Sequence, residues 1–193
     1  DNSPWFEEPD QFDQKRVLLA DIDGSGLTDI LYVARDRVDL FFNQSGNGWS
    51  EPHPLNQVPA ANSLSSVAAV DLLGNGTACL VWSSSLAGER SRSLRYLDLM
   101  GGQKPHLLNR VVNNLGVETR VQYASSTSFY MEDKFAGRPW LTKLPFPVHV
   151  VDRLEVLDHV SRNRFVTRYT YHHGYFDGTE REFRGFGMVE QFD

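Results

Sequence analysis

The chain repeats itself. Val17-Leu-Leu-Ala-Asp21-Ile-Asp23-Gly-Ser25-Gly-Leu-Thr-Asp29-Ile-Leu-Tyr-Val33 aligns with Val67-Ala-Ala-Val-Asp71-Leu-Leu-Gly74-Asn-Gly76-Thr-Ala-Cys79-Leu-Val-Trp82, and the copies lie 50 residues apart. Each copy reads as strand, Asp/Gly-rich loop, strand. A period of roughly 40–50 residues with several strands per repeat marks propeller blades. Two blades cannot close a ring that needs about four to eight. The repeat therefore predicts the end of a longer array, and neither end of the chain reads as a natural terminus.

The repeat stops near residue 105, and the boundary is expected within 104–112. Beyond it the chain is rich in aromatics and alternates with period two. Thr119, Val121 and Tyr123 alternate with Arg120 and Gln122, and Phe165, Thr167, Tyr169 and Tyr171 with Val166, Arg168, Thr170 and His172. Val148 to Val160 alternates likewise, and its β-branched content favours strand over helix. Asp177-Gly178 reads as a hairpin turn, and Gly185 and Gly187 as a bulge or close backbone approach. No helix of three turns stands out. The expected fold is mainly β, with terminal propeller blades over residues 1–106 followed by an antiparallel β-sheet segment over 107–193.

Composition excludes more than it assigns. The 193 residues carry 19 Lys+Arg against 25 Asp+Glu, a net charge of −6, which argues against nucleic acid as a partner. No apolar run approaches the roughly 20 residues that span a bilayer, so direct membrane insertion is not expected. The single cysteine, Cys79, leaves no disulfide framework and no Cys-rich zinc site. Asp1 to Asp10 lack the basic and apolar regions of a signal peptide. Asn43-Gln-Ser45 and Asn75-Gly-Thr77 are glycosylation sequons that matter only in a glycosylating host.

The sharpest chemical motif is the first loop, with oxygen side chains at positions 1, 3, 5 and 9. Asp21, Asp23, Ser25 and Asp29, with the backbone carbonyl of Leu27, form a candidate calcium site. It is not an EF-hand, since position 12 is Tyr32 and the flanks are strands. The alternative is a turn in which Asp and Gly serve left-handed geometry and local hydrogen bonds. Ser25 in place of a carboxylate predicts weak binding. The second loop, from Asp71 to Cys79, loses oxygens at positions 3 and 9 and reads as metal-free. His172 and His173, with Asp177 and Glu180, could serve a hydrolase only if they converged; adjacent strand residues point to opposite faces, so a hairpin is the simpler reading. No nucleophile elbow or dinucleotide loop is present, and no catalytic residue is assigned.

The loop Asp21-x-Asp23-Gly-Ser25-Gly-x-x-Asp29 resembles the FG-GAP/VCBS repeats of integrin-like β-propellers. Tyr123 to Tyr130, Gly137-Arg-Pro-Trp-Leu-Thr-Lys-Leu-Pro-Phe-Pro147 and especially Tyr169 to Gly187 resemble the region after the propeller in bacterial insecticidal toxin complex B components and the related SpvB-type and Rhs/YD-repeat proteins. The resemblance implies a non-enzymatic part of a secreted virulence complex. It would be a scaffold that encapsulates a toxic effector, completed by a C component and docked on a pore-forming A component. The competing reading is a calcium-dependent, integrin-like adhesion or binding module.

Overall fold

Short runs of β-branched and aromatic residues bounded by Gly, Asn and Asp favour hairpins over long helices. The structure, a computed structural model describing residues 3–61 and 65–193, is mainly β. Its strands form three antiparallel sheets, none closed on itself, and the chain divides into two compact units.

The first unit runs to Leu73 and resumes over Thr77–His106. One sheet is a meander of β1 (Val17–Ala20), β2 (Asp29–Val33), β3 (Arg37–Phe41) and β4 (His53–Asn56). The other is a meander of β5 (Ser65–Val70), β6 (Cys79–Ser84) and β7 (Leu94–Asp98). The repeat is visible in the register. Ala20 pairs with Asp29 and Val70 with Cys79, so each copy places the same loop between paired strand ends. Both copies also place glycines in left-handed backbone at loop positions 4 and 6, Gly24 and Gly26 (φ 70° and 85°) and Gly74 and Gly76 (φ 65° and 74°). A side chain at these positions would be strained.

The core of this unit draws on both sheets. Ile22, Leu31, Val33, Val38, Leu40, Leu80 and Trp82 form one buried cluster. Tyr32, Ala34 and Phe41 form a second on the other side of β2, packed with Phe6 and Trp49. The strand β2 is thus buried on both faces, which a one-sided alternation would not produce. Leu31 is fully buried. Leu31→Ala should destabilise the unit by about 2–5 kcal/mol, measured by urea denaturation.

The second unit comprises Leu107–Asp193 and the short stretch Gly74–Gly76. Its sheet has the order β12-β11-β10-β9-β8, built from β8 (Arg110–Val112), β9 (Val117–Ser125), β10 (His149–Asp158), β11 (Asn163–Asp177) and β12 (Glu182–Phe192). The β11–β12 turn is closed by Asp177, whose Oδ1 accepts from the N–H groups of Thr179 and Glu180 at 3.0 and 3.2 Å. The register shifts opposite Gly185, and a Cβ on Gly187 would meet that of His173 at 3.1 Å, so the two glycines mark a bulge and a close approach.

Between β9 and β10 lies α1 (Ser126–Phe135), a ten-residue helix that the sequence does not announce. Ser125 caps it by accepting from Thr127 N–H at 3.2 Å. Its buried stripe is Ser126, Phe129 and Asp133, helical in spacing but with only one apolar member. The loop after α1 carries Trp140 across β11 at Gly174, where a Cβ would stand 2.8 Å from the indole.

Buried ion pairs brace this sheet. Glu118 is buried and takes Arg110 Nη2 at 2.8 Å and Arg120 Nε at 2.7 Å. Those hydrogen bonds hold its carboxyl down at about 2, from an ordinary 4.5. Because the folded value is depressed, the stabilisation is fully present above the unfolded value and is lost as pH falls through the folded one. The stability difference between wild type and Glu118→Gln should hold steady down to pH 4.5 and shrink as the pH approaches 2, followed by urea midpoints across an acid titration.

Candidate functional site

The first loop folds around the Asp29 carboxylate. Asp29 is 1% exposed, at the start of β2. Its Oδ2 accepts from Ile22 N–H at 2.9 Å and its Oδ1 from Asn43 N–H at 2.8 Å. Asp21 Oδ2 accepts from Gly26 N–H at 2.9 Å, and Asp23 Oδ1 from Ser25 N–H at 3.0 Å. Asp21, Asp23 and Asp29 bring one oxygen each within 4.8 Å of one another. Ser25 is exposed, and its hydroxyl accepts from Leu27 N–H at 3.4 Å. The carboxylates converge, therefore, while the Ser25 hydroxyl is engaged inside the loop.

Three like charges at this separation repel unless something compensates them. Burial pushes the Asp29 carboxyl above its ordinary value, and the charges of Asp23 and Asp21 add to the rise; the amides of Asn43 and Ile22 oppose it without cancelling it. The Oδ1 atom of Asp21 is buried with no hydrogen-bond partner. An orphaned carboxylate oxygen beside two more carboxylates is a donor set suited to a hard cation such as Ca2+. His106 stands at the rim, its Nε2 3.9 Å from Asp23 Oδ2.

The second loop shows what the same fold does without the acids. Cys79 occupies the place of Asp29, fully buried, with the backbone amides of Leu72 and Leu73 nearby. Burial pushes that thiol up from its ordinary value. The Ile22 amide donates to Asp29 in the first copy, whereas the Leu72 amide donates to the Val70 carbonyl at 2.9 Å in the second. The paired strand ends and left-handed glycines are common to both; the acidic trio is confined to the first.

His172 and His173 do not meet Asp177 and Glu180. Asp177 closes the hairpin five residues along β11, about 17 Å away by strand rise. The buried His172 instead bridges two carboxylates that sequence reasoning missed: its Nδ1 lies 2.5 Å from Asp133 Oδ2 on α1, and its Nε2 3.4 Å from Glu190 Oε2 on β12. Trp140 Nε1 donates to the same Asp133 oxygen at 2.8 Å. Burial pushes the Asp133 carboxyl up, but the hydrogen bonds from His172 and Trp140 and the charges of His172 and Arg138 outweigh it and hold it low. His173 Nδ1 accepts from Leu141 N–H at 3.2 Å. Both histidines border a cavity of about 280 Å³ with Asp133, Arg138, Met188 and Glu190. In this arrangement His172 fastens α1 to the sheet.

Residues 43–193 match the family described as "Insecticide toxin TcdB middle/N-terminal region". Among solved structures, the crystal structure of TcdB2-TccC3-Cdc42 is similar at 38% identity and a TM-score of 0.84, over 96% of this chain and 9% of that one. The crystal structure of TcdB2-TccC3 gives 39% and 0.84, over 97% and 9%. The Photorhabdus luminescens Tc holotoxin pore gives 40% and 0.84, over 97% and 9%. The chain spans less than a tenth of the length of these relatives. Among curated proteins none matches. Nothing in these likenesses supports the adhesion-module reading.

Asp29→Ala should lower stability by about 1–3 kcal/mol, because one buried and one half-buried amide lose their acceptor. Asp23→Ala frees only an exposed amide and should cost under about 1 kcal/mol. Equal urea midpoints for the two variants would contradict the closure role of Asp29.

Proposed function

Because the chain belongs to the insecticide toxin TcdB middle/N-terminal family, we propose that it is a non-enzymatic segment of a secreted bacterial toxin-complex B component. In this reading it is scaffold: part of a β-shell that encloses an effector with a C component and docks on a pore-forming A component. The observation that carries it is the match of nearly the whole chain, at 38–40% identity, to TcdB2 in complexes with TccC3 and to a Tc holotoxin pore. The two meanders of the first unit, with their repeated loops, are read as FG-GAP-like propeller blades, and residues 107–193 as the opening of the Rhs-type shell wall. The direct test replaces the matched segment of TcdB2 with this chain. The chimaera should co-elute with TccC3; a folded chimaera that fails to assemble would sink the proposal.

The Asp21 loop is proposed as a weak calcium site, with Asp21, Asp23 and Asp29 as carboxylate ligands and Ser25 and Leu27 supplying the remaining oxygens. The orphaned Asp21 Oδ1 is what supports it beyond the turn alone. Sites of this strength bind at roughly 10⁻⁴–10⁻³ M, so about 10 mM Ca2+ should add about 1.4–2.7 kcal/mol of stability. Differential scanning calorimetry should show a rise of several degrees, abolished in Asp21→Ala. Calcium needs the carboxylates deprotonated, so the shift should fade as the pH drops into the carboxyl range, sooner than for an aspartate of ordinary pKa because the Asp29 carboxyl is raised. No shift at neutral pH would leave the loop a turn only.

A further inference from the structure

One face of the five-stranded sheet is dominated by arginine. Residues opposite one another on antiparallel strands project to the same side. Arg110 stands opposite Arg120, Arg120 opposite Glu155, and Arg153 opposite Arg168. Arg164 stands opposite Leu157, which in turn faces Glu118. Five guanidinium groups thus share the face with two carboxylates.

Those two carboxylates are already used. Glu118 lies buried under Arg110 and Arg120, with His159 Nε2 at 3.5 Å. Glu155 is buried too, bonded by Arg164 and with Arg153 at 3.9 Å. Farther along β11, Glu190 opposite Thr170 is engaged by His172. Guanidinium capacity is left over. The Arg153 Nε is buried with no hydrogen-bond partner. Arg168 is exposed and makes no ion pair among the described residues. Arg110, Arg120 and Arg164 keep 60, 53 and 56% of their side chains in solvent.

Whole-chain composition hides this surface. Residues 1–106 hold 8 Lys+Arg against 14 Asp+Glu, and residues 107–193 hold 11 against 11. The entire net charge of −6 therefore belongs to the first part. The second is neutral in sum, with an excess of positive charge gathered on one sheet face.

We propose that this face is a docking surface for an acidic stretch of polypeptide. Guanidinium forks match carboxylates in pairs, and arginine is favoured in protein interfaces because it is weakly hydrated. The rows lie about 4.8 Å apart across strands and about 6.7 Å along them, the repeat of carboxylates on alternate residues of an extended segment. Leu157 and Val166 are half-buried among the arginines. A polypeptide covers such apolar patches; a phosphate backbone matches the charge and leaves them wet. The inference is independent of the calcium loop and of the toxin-complex reading.

The test is fluorescence anisotropy of a labelled peptide of alternating Glu and Val, titrated with the 193-residue chain. Saturable binding is expected, weakened about threefold or more by Arg168→Gln and about tenfold by Arg153→Gln with Arg168→Gln. It should decline between about 50 and about 300 mM salt. Lys143→Gln, which removes the same charge from an exposed loop of this unit, should leave the affinity unchanged. Because Arg168 has no internal ion pair to lose, the single variant tests the surface without unfolding it. Absence of binding, an affinity unchanged in Arg168→Gln or lowered equally by Lys143→Gln, or tighter binding of an equally charged single-stranded oligonucleotide would each overturn the assignment.

Discussion

A single buried carboxylate fastens the first unit. Asp29 reaches back to Ile22 and across to Asn43, so one side chain ties the loop after β1, the start of β2 and the chain beyond β3. Satisfying two amides at once offsets the desolvation of the charge. The tie also delivers a neighbour: Ile22, whose amide it holds, is fully buried in the main cluster. In the second copy a thiol takes the same place, and the corresponding Leu72 stays 42% exposed. The loops share a backbone path, yet only one drives its second residue into the core.

The strands were legible because burial on a pleated sheet leaves a period of two in the residues themselves. The alternations around Val121, Leu154 and Phe165 fall within strands. The helix α1 was not legible, because two of the three residues it buries, Ser126 and Asp133, are polar and leave no apolar stripe. The hairpin at Asp177 was legible from its turn residues, but the partners of His172 were not, because Asp133 and Glu190 lie 39 and 18 residues away in sequence. Convergence of Asp21, Asp23 and Asp29 was readable because one loop carries all three.

Net charge hides how the charges are distributed. A sum over the chain averages an acidic unit with a neutral one, and a neutral unit can still separate its charges. Alternation along β9, β10 and β11 sorts arginines to one side and most of the β-branched and aromatic residues to the other. Burying Glu118 and Glu155 under that layer anchors the arginines, since each carboxylate in a partly dry setting holds more than one cation. What stiffens the sheet also prepares its surface.

The exchange of Asp for Cys in the second loop has a chemical consequence beyond metal binding. Thiolate is the species that oxidises, exchanges and cross-links. Cys79 is fully buried, and burial and the charge of Asp98 raise its pKa despite two amides that favour the anion. At neutral pH almost no thiolate exists there, and no oxidant reaches the sulfur while β6 stays paired. The only sulfhydryl of the chain is therefore silent in an oxidising medium as long as the first unit is folded. Its reactivity toward a thiol reagent becomes a clock for the opening of that unit.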